Sequence, residues 1–273
     1  MKTILFINDG STAASSAAKL MFQIARDVQA EVLIVQTNYQ ATTVPVKVLA
    51  GGHGATTGGK RESEQIYRLL QRLNEGQAGF QPSISQIELP LANAADVAAV
   101  ALRANCWMIV SGYSKTSADQ QSLNFQSLLN RLQCPLLLVP DCWEGESIRR
   151  ITYMADLRYC RLNIMRYLTG WALASRASLS LAHFSKEGLA PIVESYGVQL
   201  FGEIAKQLPP CSLTFNNIPE RDIHRALDVL VNGLHADLMV LVNHRFHFEQ
   251  IMGGRLNGRI PEGLAVPVLL FPM

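Results

Sequence analysis

The stretch ILFIND at residues 4–9 decides the fold, because this apolar run ending in an aspartate occurs twice in the chain. It returns 147 residues later as ITYMAD at residues 151–156, and AEVLIV at residues 30–35 returns at the same offset as ASLSLA at residues 177–182. Self-similarity at a fixed offset is the sequence signature of a repeated structural unit. We therefore predict two copies of one domain, residues 1–141 and 147–273, joined by a short linker.

The ends of the two copies match at a shorter offset. CPLLLVP at residues 134–140 corresponds to VPVLLFP at residues 266–272, which is an offset of 132, so the first copy carries 15 additional residues. The surplus coincides with the glycine-rich stretch AGGHGATTGG at residues 50–59. Glycine and threonine cannot bury enough apolar surface to offset the entropy of ordering a backbone. We expect residues 50–60 to form a mobile loop that is dispensable for folding.

Within each copy, short apolar runs alternate with helical patterns, which indicates βαβ units and a parallel sheet with helices on both faces. Continuously apolar runs are typical of strands that are covered on both faces. In the first copy the predicted strands lie near residues 3–8, 31–36, 83–89, 106–111 and 136–139, and in the second copy one strand lies at 237–242.

Several helix starts are recognisable from residues that cap helices or occupy their first turn. Ser11 precedes an apolar stripe at helical spacing, and Asn93 precedes another. Ser117 or Asp119 is placed to cap the helix that ends near Leu132, and Pro219 stands where a first helical residue belongs. A further helical pattern covers residues 62–73.

Charge, cysteine content and hydropathy limit the kinds of binding partner and the cellular compartment that we expect. The formal net charge is +2, from 24 basic and 22 acidic residues, which gives no strong field for a nucleic acid or a membrane surface. The five cysteines are widely spaced, without a Cys-x-x-Cys pair, as expected of reduced thiols in a cytoplasmic protein. No secretion signal and no apolar stretch of about 18 residues is present, so we expect a cytoplasmic protein without a membrane span.

Open parallel sheets bind ligands beyond the carboxyl ends of their strands, where the strand order reverses. If the first strand lies beside the fourth, this crevice is flanked by Asp9 and Gly112 in the first copy, and by Asp156 and Asn243 in the second. An aspartate there can hydrogen-bond a ribose or an adenine edge. The alternative is that residues 9–12 form only a turn and a helix cap.

Several of these segments, in the same order, resemble the universal stress proteins. Residues 4–11 resemble the opening strand and Asp-Gly-Ser turn of that family, and residues 182–184 resemble its second-strand Leu-His-Val. Residues 134–140 and 266–270 both resemble its Cys-Pro-Val last strand. The resemblance implies a pseudo-symmetric tandem of two open, five-stranded parallel sheets. It also implies that the two last strands pair with each other, and a further homodimer is compatible with it.

ATP-binding members of that family carry Gly-x-x-Gly, nine residues, then Gly-Ser or Gly-Thr after the fourth strand. The first copy keeps Gly112 but has Lys115 and Ser122 at the other positions. The second copy has Asn243 and Phe246 for the first two glycines, yet retains a glycine pair near the expected place. The resemblance thus implies a degenerate site for ATP or AMP. In the second copy, which is the main candidate, it consists of Asp156, Phe184, Gly253, Gly254 and Arg255, with Arg259 nearby. Its weaker counterpart in the first copy consists of Asp9 and Gly112. The alternative for Gly253 and Gly254 is a plain turn that enters a helix.

Other motifs are weaker. Residues 54–60 fit the G-x-x-x-x-G-K pattern of a phosphate loop, but Arg61 replaces the residue that would ligate magnesium. His244 and His247 have a spacing compatible with two metal ligands, although surface positions are the preferred interpretation. The three tryptophans, Trp107, Trp143 and Trp171, are expected in the core or at the interface between the copies.

No arrangement of catalytic residues stands out in the sequence. We therefore expect a stress-response protein that binds a small ligand without catalysing a reaction. The alternative is an interaction protein whose crevices have lost nucleotide binding, and an ATP-hydrolysing enzyme is a distant third.

Overall fold

The chain forms one ten-stranded sheet in a computed structural model. The structure describes residues 1–37, 58–75, 79–89, 93–114, 123–145, 147–155, 157, 160–184, 191–218, 220, 222–244, 248–252 and 265–273. We call residues 1–141 the first half and residues 147–273 the second half; these boundaries remain predictions from the sequence.

The first half contains five strands and four helices within its described residues: β1 (Lys2–Asn8), α1 (Thr12–Asp27), β2 (Ala30–Gln36), α2 (Gly58–Glu75), β3 (Ile84–Glu88), α3 (Ala94–Arg103), β4 (Met108–Tyr113), α4 (Phe125–Leu129) and β5 (Leu136–Pro140). The second half repeats this order: β6 (Arg150–Met154), α5 (Leu162–Ser175), β7 (Ser178–Phe184), α6 (Pro191–Ala205), β8 (Leu213–Ile218), α7 (Ile223–Asp228), β9 (Leu238–Val242), α8 (Phe248–Met252) and β10 (Val268–Phe271). Helix α7 continues into a π-helical turn at Val229–Gly233.

The strand order is β3-β2-β1-β4-β5-β10-β9-β6-β7-β8. Within each half all strand pairs are parallel, and the halves meet where β5 and β10 pair antiparallel, with Leu137 opposite Leu269. The predicted pair of parallel five-stranded sheets is therefore confirmed. The predicted pairing of the last strands is confirmed too, and it joins the two sheets into one.

Helices cover both faces of this sheet, and each face has one apolar cluster that runs through both halves. On one face, α1 and α2 of the first half lie in the same cluster as α5, through residues such as Met21, Leu70 and Met165. On the other face, α3, α4, α7 and α8 share a cluster that includes Val97, Leu128 and Leu230. The two halves therefore share their cores, because neither cluster stops at the β5–β10 pair.

Two of the three tryptophans link the halves. Trp107, before β4, stacks on Tyr167 of α5 with ring centroids 4.7 Å apart, and meets Trp171 of α5 edge to face at 6.1 Å. The Tyr167 hydroxyl donates to the Trp107 carbonyl at 3.1 Å. Trp171 is 1% exposed. The prediction of core or interface positions is confirmed for Trp107 and Trp171.

Helix caps agree with the sequence at two of four predicted places. The side chains of Ser11 and Asn93 accept N-terminal N–H groups of α1 and α3, and Asn93 forms a capping box with Asp96. Helix α4, however, begins at Phe125 and is capped by Asn124, whereas Ser117 and Asp119 lie outside the described residues. Helix α7 begins at Ile223 with Asp222 as its cap, later than the predicted start at Pro219, which the structure does not describe.

The insertion of the first half falls largely outside the described residues. This applies to residues 50–57 of the predicted mobile loop and to the first four positions of the phosphate-loop pattern. Residues 58–60, which were expected in the loop, form the first turn of α2. Among the helices in the described parts of the chain, none combines the length and the hydropathy needed to cross a membrane.

Candidate functional site

Each half has one position where the strand order reverses, between β1 and β4 in the first half and between β6 and β9 in the second. Ligands of open α/β sheets bind beyond the carboxyl ends of the strands at this position. We call these positions the first crevice and the second crevice. Because β5 and β10 are antiparallel, the carboxyl ends of the two halves point to opposite edges of the sheet.

Asp9 in the first crevice forms a turn. Its carboxylate is exposed and accepts the Ser11 N–H at 2.9 Å. Ser11 in turn caps α1, its hydroxyl accepting the Ala14 N–H at 3.2 Å. This is the turn and helix cap that the sequence offered as the alternative interpretation of residues 9–12.

Gly112 provides room for a helix rather than for a ligand. A Cβ atom at this position would lie 2.4 Å from the Ala13 carbonyl carbon and 2.6 Å from the Ala14 nitrogen. The first turn of α1 therefore packs directly on β4, and only a glycine permits this approach. The space beside Gly112 is occupied by the backbone of the protein itself.

A buried polar pair anchors the turn of the first crevice. Asn8 and Gln36 end two neighbouring strands with 0% and 2% exposure, and Asn8 Nδ2 donates to Gln36 Oε1 at 2.9 Å. The side-chain oxygen of Asn8, Oδ1, accepts the Gly10 N–H at 3.1 Å. The sequence alone does not identify this role, because the partner of a polar residue at a strand end is known only once the strand order is known.

His183 anchors the corresponding turn in the second crevice. It is 3% exposed at the end of β7, and its Nδ1 accepts the Leu157 N–H at 3.2 Å. Leu157 is the counterpart of Gly10 at the repeat offset of 147. Accepting this bond requires an Nδ1 without a proton, so the imidazole is held with its other nitrogen as the donor. The second residue of the family-like Leu-His-Val pattern thus fixes a turn.

The structure places only some of the predicted residues of the second crevice. Asp156, Gly253, Gly254, Arg255 and Arg259 lie outside the described residues. Phe184 is 4% exposed and belongs to the apolar cluster that also contains Met154 and Ile218. It is a core residue.

Asn243, directly after β9, forms side-chain hydrogen bonds with the first half. It is 1% exposed; its Nδ2 donates to Asn130 Oδ1 at 2.9 Å, and its Oδ1 accepts from Gln126 Nε2 at 3.0 Å. The Gln126 amide also donates to Asn130 at 3.0 Å. Both ends of the Asn243 amide therefore have partners on α4 or just after it, and the cluster of three amides joins the halves.

His244 follows directly and is exposed, with a left-handed backbone at φ 54°. Its ring lies 6.4 Å from that of Phe248. His247, the other half of the proposed histidine pair, lies outside the described residues.

No family model matches the sequence, and none of the curated proteins matches it. Solved structures do match. A universal stress protein from Archaeoglobus fulgidus DSM 4304 superposes with a TM-score of 0.63 at 12% identity, over 98% of this chain and 97% of that chain. A functionally unknown protein, PA1789 from Pseudomonas aeruginosa PAO1, superposes with a TM-score of 0.57 at 13% identity, over 99% of this chain and 92% of that chain. A universal stress protein in complex with cAMP matches 51% of this chain and 97% of its own, at 17% identity and a TM-score of 0.34.

The full-length likeness to the Archaeoglobus protein shows that this chain has the universal stress protein fold, in tandem. The fold expected from the repeated strand motifs is thereby confirmed.

Proposed function

We propose that this chain is a tandem protein of the universal stress type that binds a small ligand, with ATP or AMP as the first candidate, and that it acts without catalysing a reaction. The observation that carries the proposal is the strand order, which reverses between β6 and β9 in a fold shared along its whole length with a universal stress protein. A reversal of this kind is where open α/β sheets hold their ligands.

We assign the ligand to the second crevice because the first is occupied. In the first crevice, α1 packs on Gly112, and the carboxylate of Asp9 is engaged in its own turn. The second crevice retains Asp156 and the sequence Gly253-Gly254-Arg255. In this proposal Asp156 orients the nucleoside, the glycine pair lets backbone N–H groups approach the phosphates, and Arg255 adds a charge-assisted hydrogen bond.

The compartment belongs to the same proposal. All five cysteines are free thiols, and Cys106 is buried. Five cysteines without a disulfide are typical of proteins in a reducing compartment, so we place the protein in the cytoplasm.

Mass spectrometry of small molecules released from the purified, denatured protein tests the ligand directly. We expect ATP or AMP at a substantial fraction of the protein concentration. A protein that releases no nucleotide, and that also gives no heat with ATP in calorimetry, would contradict the proposal.

That contradictory result would favour the second candidate function, an interaction protein that keeps the fold but has lost nucleotide binding. One observation favours this alternative: Asn243 stands where the family has a glycine, and both ends of its amide are bound by Gln126 and Asn130. Asn243 thus fills the place of a glycine with a side chain that is tied to the first half. Association of the chain with another protein, or with a second copy, would then be the activity to measure.

A further inference from the structure

Strand β8 forms one edge of the ten-stranded sheet. Among the described strands only β7 pairs with it, so the outer side of β8 has no strand partner within the described parts of the chain. Natural edge strands are usually protected by charges, prolines or bulges, because their unpaired backbone groups attract another strand. The sequence of β8, LTFNNI, contains neither a charged residue nor a proline. We call the outer side of β8 the free edge.

The opposite edge of the sheet, β3, differs in charge. β3 carries Glu88, and the helix that leads into it, α2, has seven charged residues among 18. Helix α6, which leads into β8 in the same way, has two charged residues among 15. The free edge is therefore the end of the sheet where an added strand meets the fewest charges.

The pairing of β8 with β7 determines which backbone groups point outward. The Leu179 N–H donates to the Ser212 carbonyl oxygen at 2.8 Å, just before β8 begins. In a parallel ladder every second residue of a strand bonds to the same neighbour, so Ser212 and every second residue after it face β7. The residues between them direct their N–H and C=O groups toward the free edge: Leu213, Phe215 and Asn217.

These outward groups are symmetric about Phe215. When a second copy lies antiparallel with the two Phe215 residues opposite each other, Leu213 of each copy lies opposite Asn217 of the other. Each of these pairs can exchange both of its N–H···O bonds. A single two-fold axis perpendicular to the sheet thus pairs every outward group of β8, as an isologous contact requires.

The chain already contains a junction of this kind. β5 and β10 pair antiparallel between the two halves, and α1 and α5 belong to one apolar cluster that continues across that pair. An antiparallel pair of two β8 strands would continue the sheet in the same manner. The α6 helices of the two copies would then lie on the same face, on either side of the axis.

Helix α6 has an uncharged flank beside the free edge. Val198, Gly202 and Ala205 recur at helical spacing, and the right-handed β7–α6–β8 crossover turns this flank away from α5. Val198 is 56% exposed, and a Cβ atom at Gly202 would meet nothing within 4 Å. Glu203, the charged residue among the described side chains of α6, lies on the other flank with Tyr196. A symmetric contact therefore brings no like charges together here.

We propose that a second copy of this chain docks on the free edge, with β8 of one copy antiparallel to β8 of the other and the Val198 flanks of α6 facing each other across the axis. A second copy is the occupant because the edge is complementary to itself: its outward groups pair about Phe215, and it lacks the charge that would repel its own copy. The contact does not depend on the ligand proposed for the second crevice.

Sedimentation velocity of the full chain, from about 1 to about 100 μM, tests the association. We expect a dimer whose population rises with concentration. Val198→Lys should weaken the dimer at least about 10-fold, because it sets two ammonium groups against each other. Tyr196→Lys is the matched control, since it adds the same charge to the other flank, where the side chain is 60% exposed. A wild type that stays monomeric throughout would overturn the proposal and leave the edge to a different protein.

A proline tests the strand pairing itself. Asn217→Pro removes an outward N–H that β7 does not use, so far-ultraviolet circular dichroism should be unchanged while the dimer weakens at least about 10-fold. Gln86→Pro is the control, because it removes an outward N–H from the other edge strand, β3, and should leave the dimer intact. Val198→Lys decides alone if the proline unfolds β8. A dimer that survives both Val198→Lys and Asn217→Pro, or that both controls weaken equally, would place the interface elsewhere and refute the assignment.

Discussion

At the scale of single residues, Gly112 is a position where no larger side chain fits without a shift of the backbone. A Cβ atom there would lie 2.4 Å from the backbone of Ala13, so Gly112→Ala must push α1 away from β4. We expect a loss of about 3 kcal/mol in the free energy of unfolding, as for an overpacked core, measured by urea denaturation. Gly170→Ala is the matched control, because a Cβ at Gly170 meets nothing within 4 Å. It should be neutral or stabilising by up to about 1 kcal/mol, since alanine favours a helix. Equal losses in both variants would show that the close approach at Gly112 is not what matters.

The proposed nucleotide site is tested at the same scale. Asp156→Ala and Arg255→Ala should each weaken ATP about 10- to 100-fold in calorimetry, because each removes a hydrogen bond to or from a charged group. Asp9→Ala should change ATP affinity less, since the Asp9 carboxylate serves its own turn. An equal loss from Asp9→Ala, or tight binding that survives both second-half substitutions, would move the site to the first half.

At the scale of elements, the turns that lead into β4 and β5 carry one buried and one half-buried thiol, Cys106 and Cys134, that make stability depend on pH. Burial raises the pKa of Cys106 to about 11 and that of Cys134 to about 12. In the unfolded chain a thiol ionises near pH 8.5. The folded state therefore holds these protons more tightly, and the stability they contribute is complete below about pH 8.5 and is lost as the pH rises toward 11 to 12.

Urea denaturation at about pH 7.5 and about pH 10 measures this effect. The free energy of unfolding should fall between the two conditions, and it should fall less in the double variant Cys106→Ala, Cys134→Ala. Cys142→Ala, which removes an exposed thiol, should follow the wild type. The same fall in the double variant as in the wild type would assign the pH dependence to other groups.

Element by element, the sequence predicts the buried strands and one of the two edge strands. β1, β2, β5 and β9 are almost fully buried, and their apolar runs were placed to within two residues. The edge strand β3 was also placed to within one residue at each end. The other edge strand, β8, was missed because LTFNNI shows no continuous apolar run. For the site, the sequence identified Gly112 but not its role, because that role depends on where α1 packs. The roles of Asn8, Gln36 and His183 were not identified, although His183 was recognised in a family-like pattern, because a polar residue at a strand end gains meaning only when its neighbour across the sheet is known.

At the scale of the whole molecule, the shared cores predict cooperative unfolding. One apolar cluster on each face contains residues of both halves, and β5 pairs with β10 between them. We expect a single transition in urea, with tryptophan fluorescence and far-ultraviolet circular dichroism giving the same midpoint. Trp107 and Trp171 report on the interface, and the circular dichroism reports on all helices. Two separated midpoints would show that the halves unfold independently.

The antiparallel pairing of β5 with β10 also turns the two crevices toward opposite edges of the sheet, so an occupant of one crevice would never touch an occupant of the other. Communication between the two crevices would have to pass through the apolar clusters that both halves share.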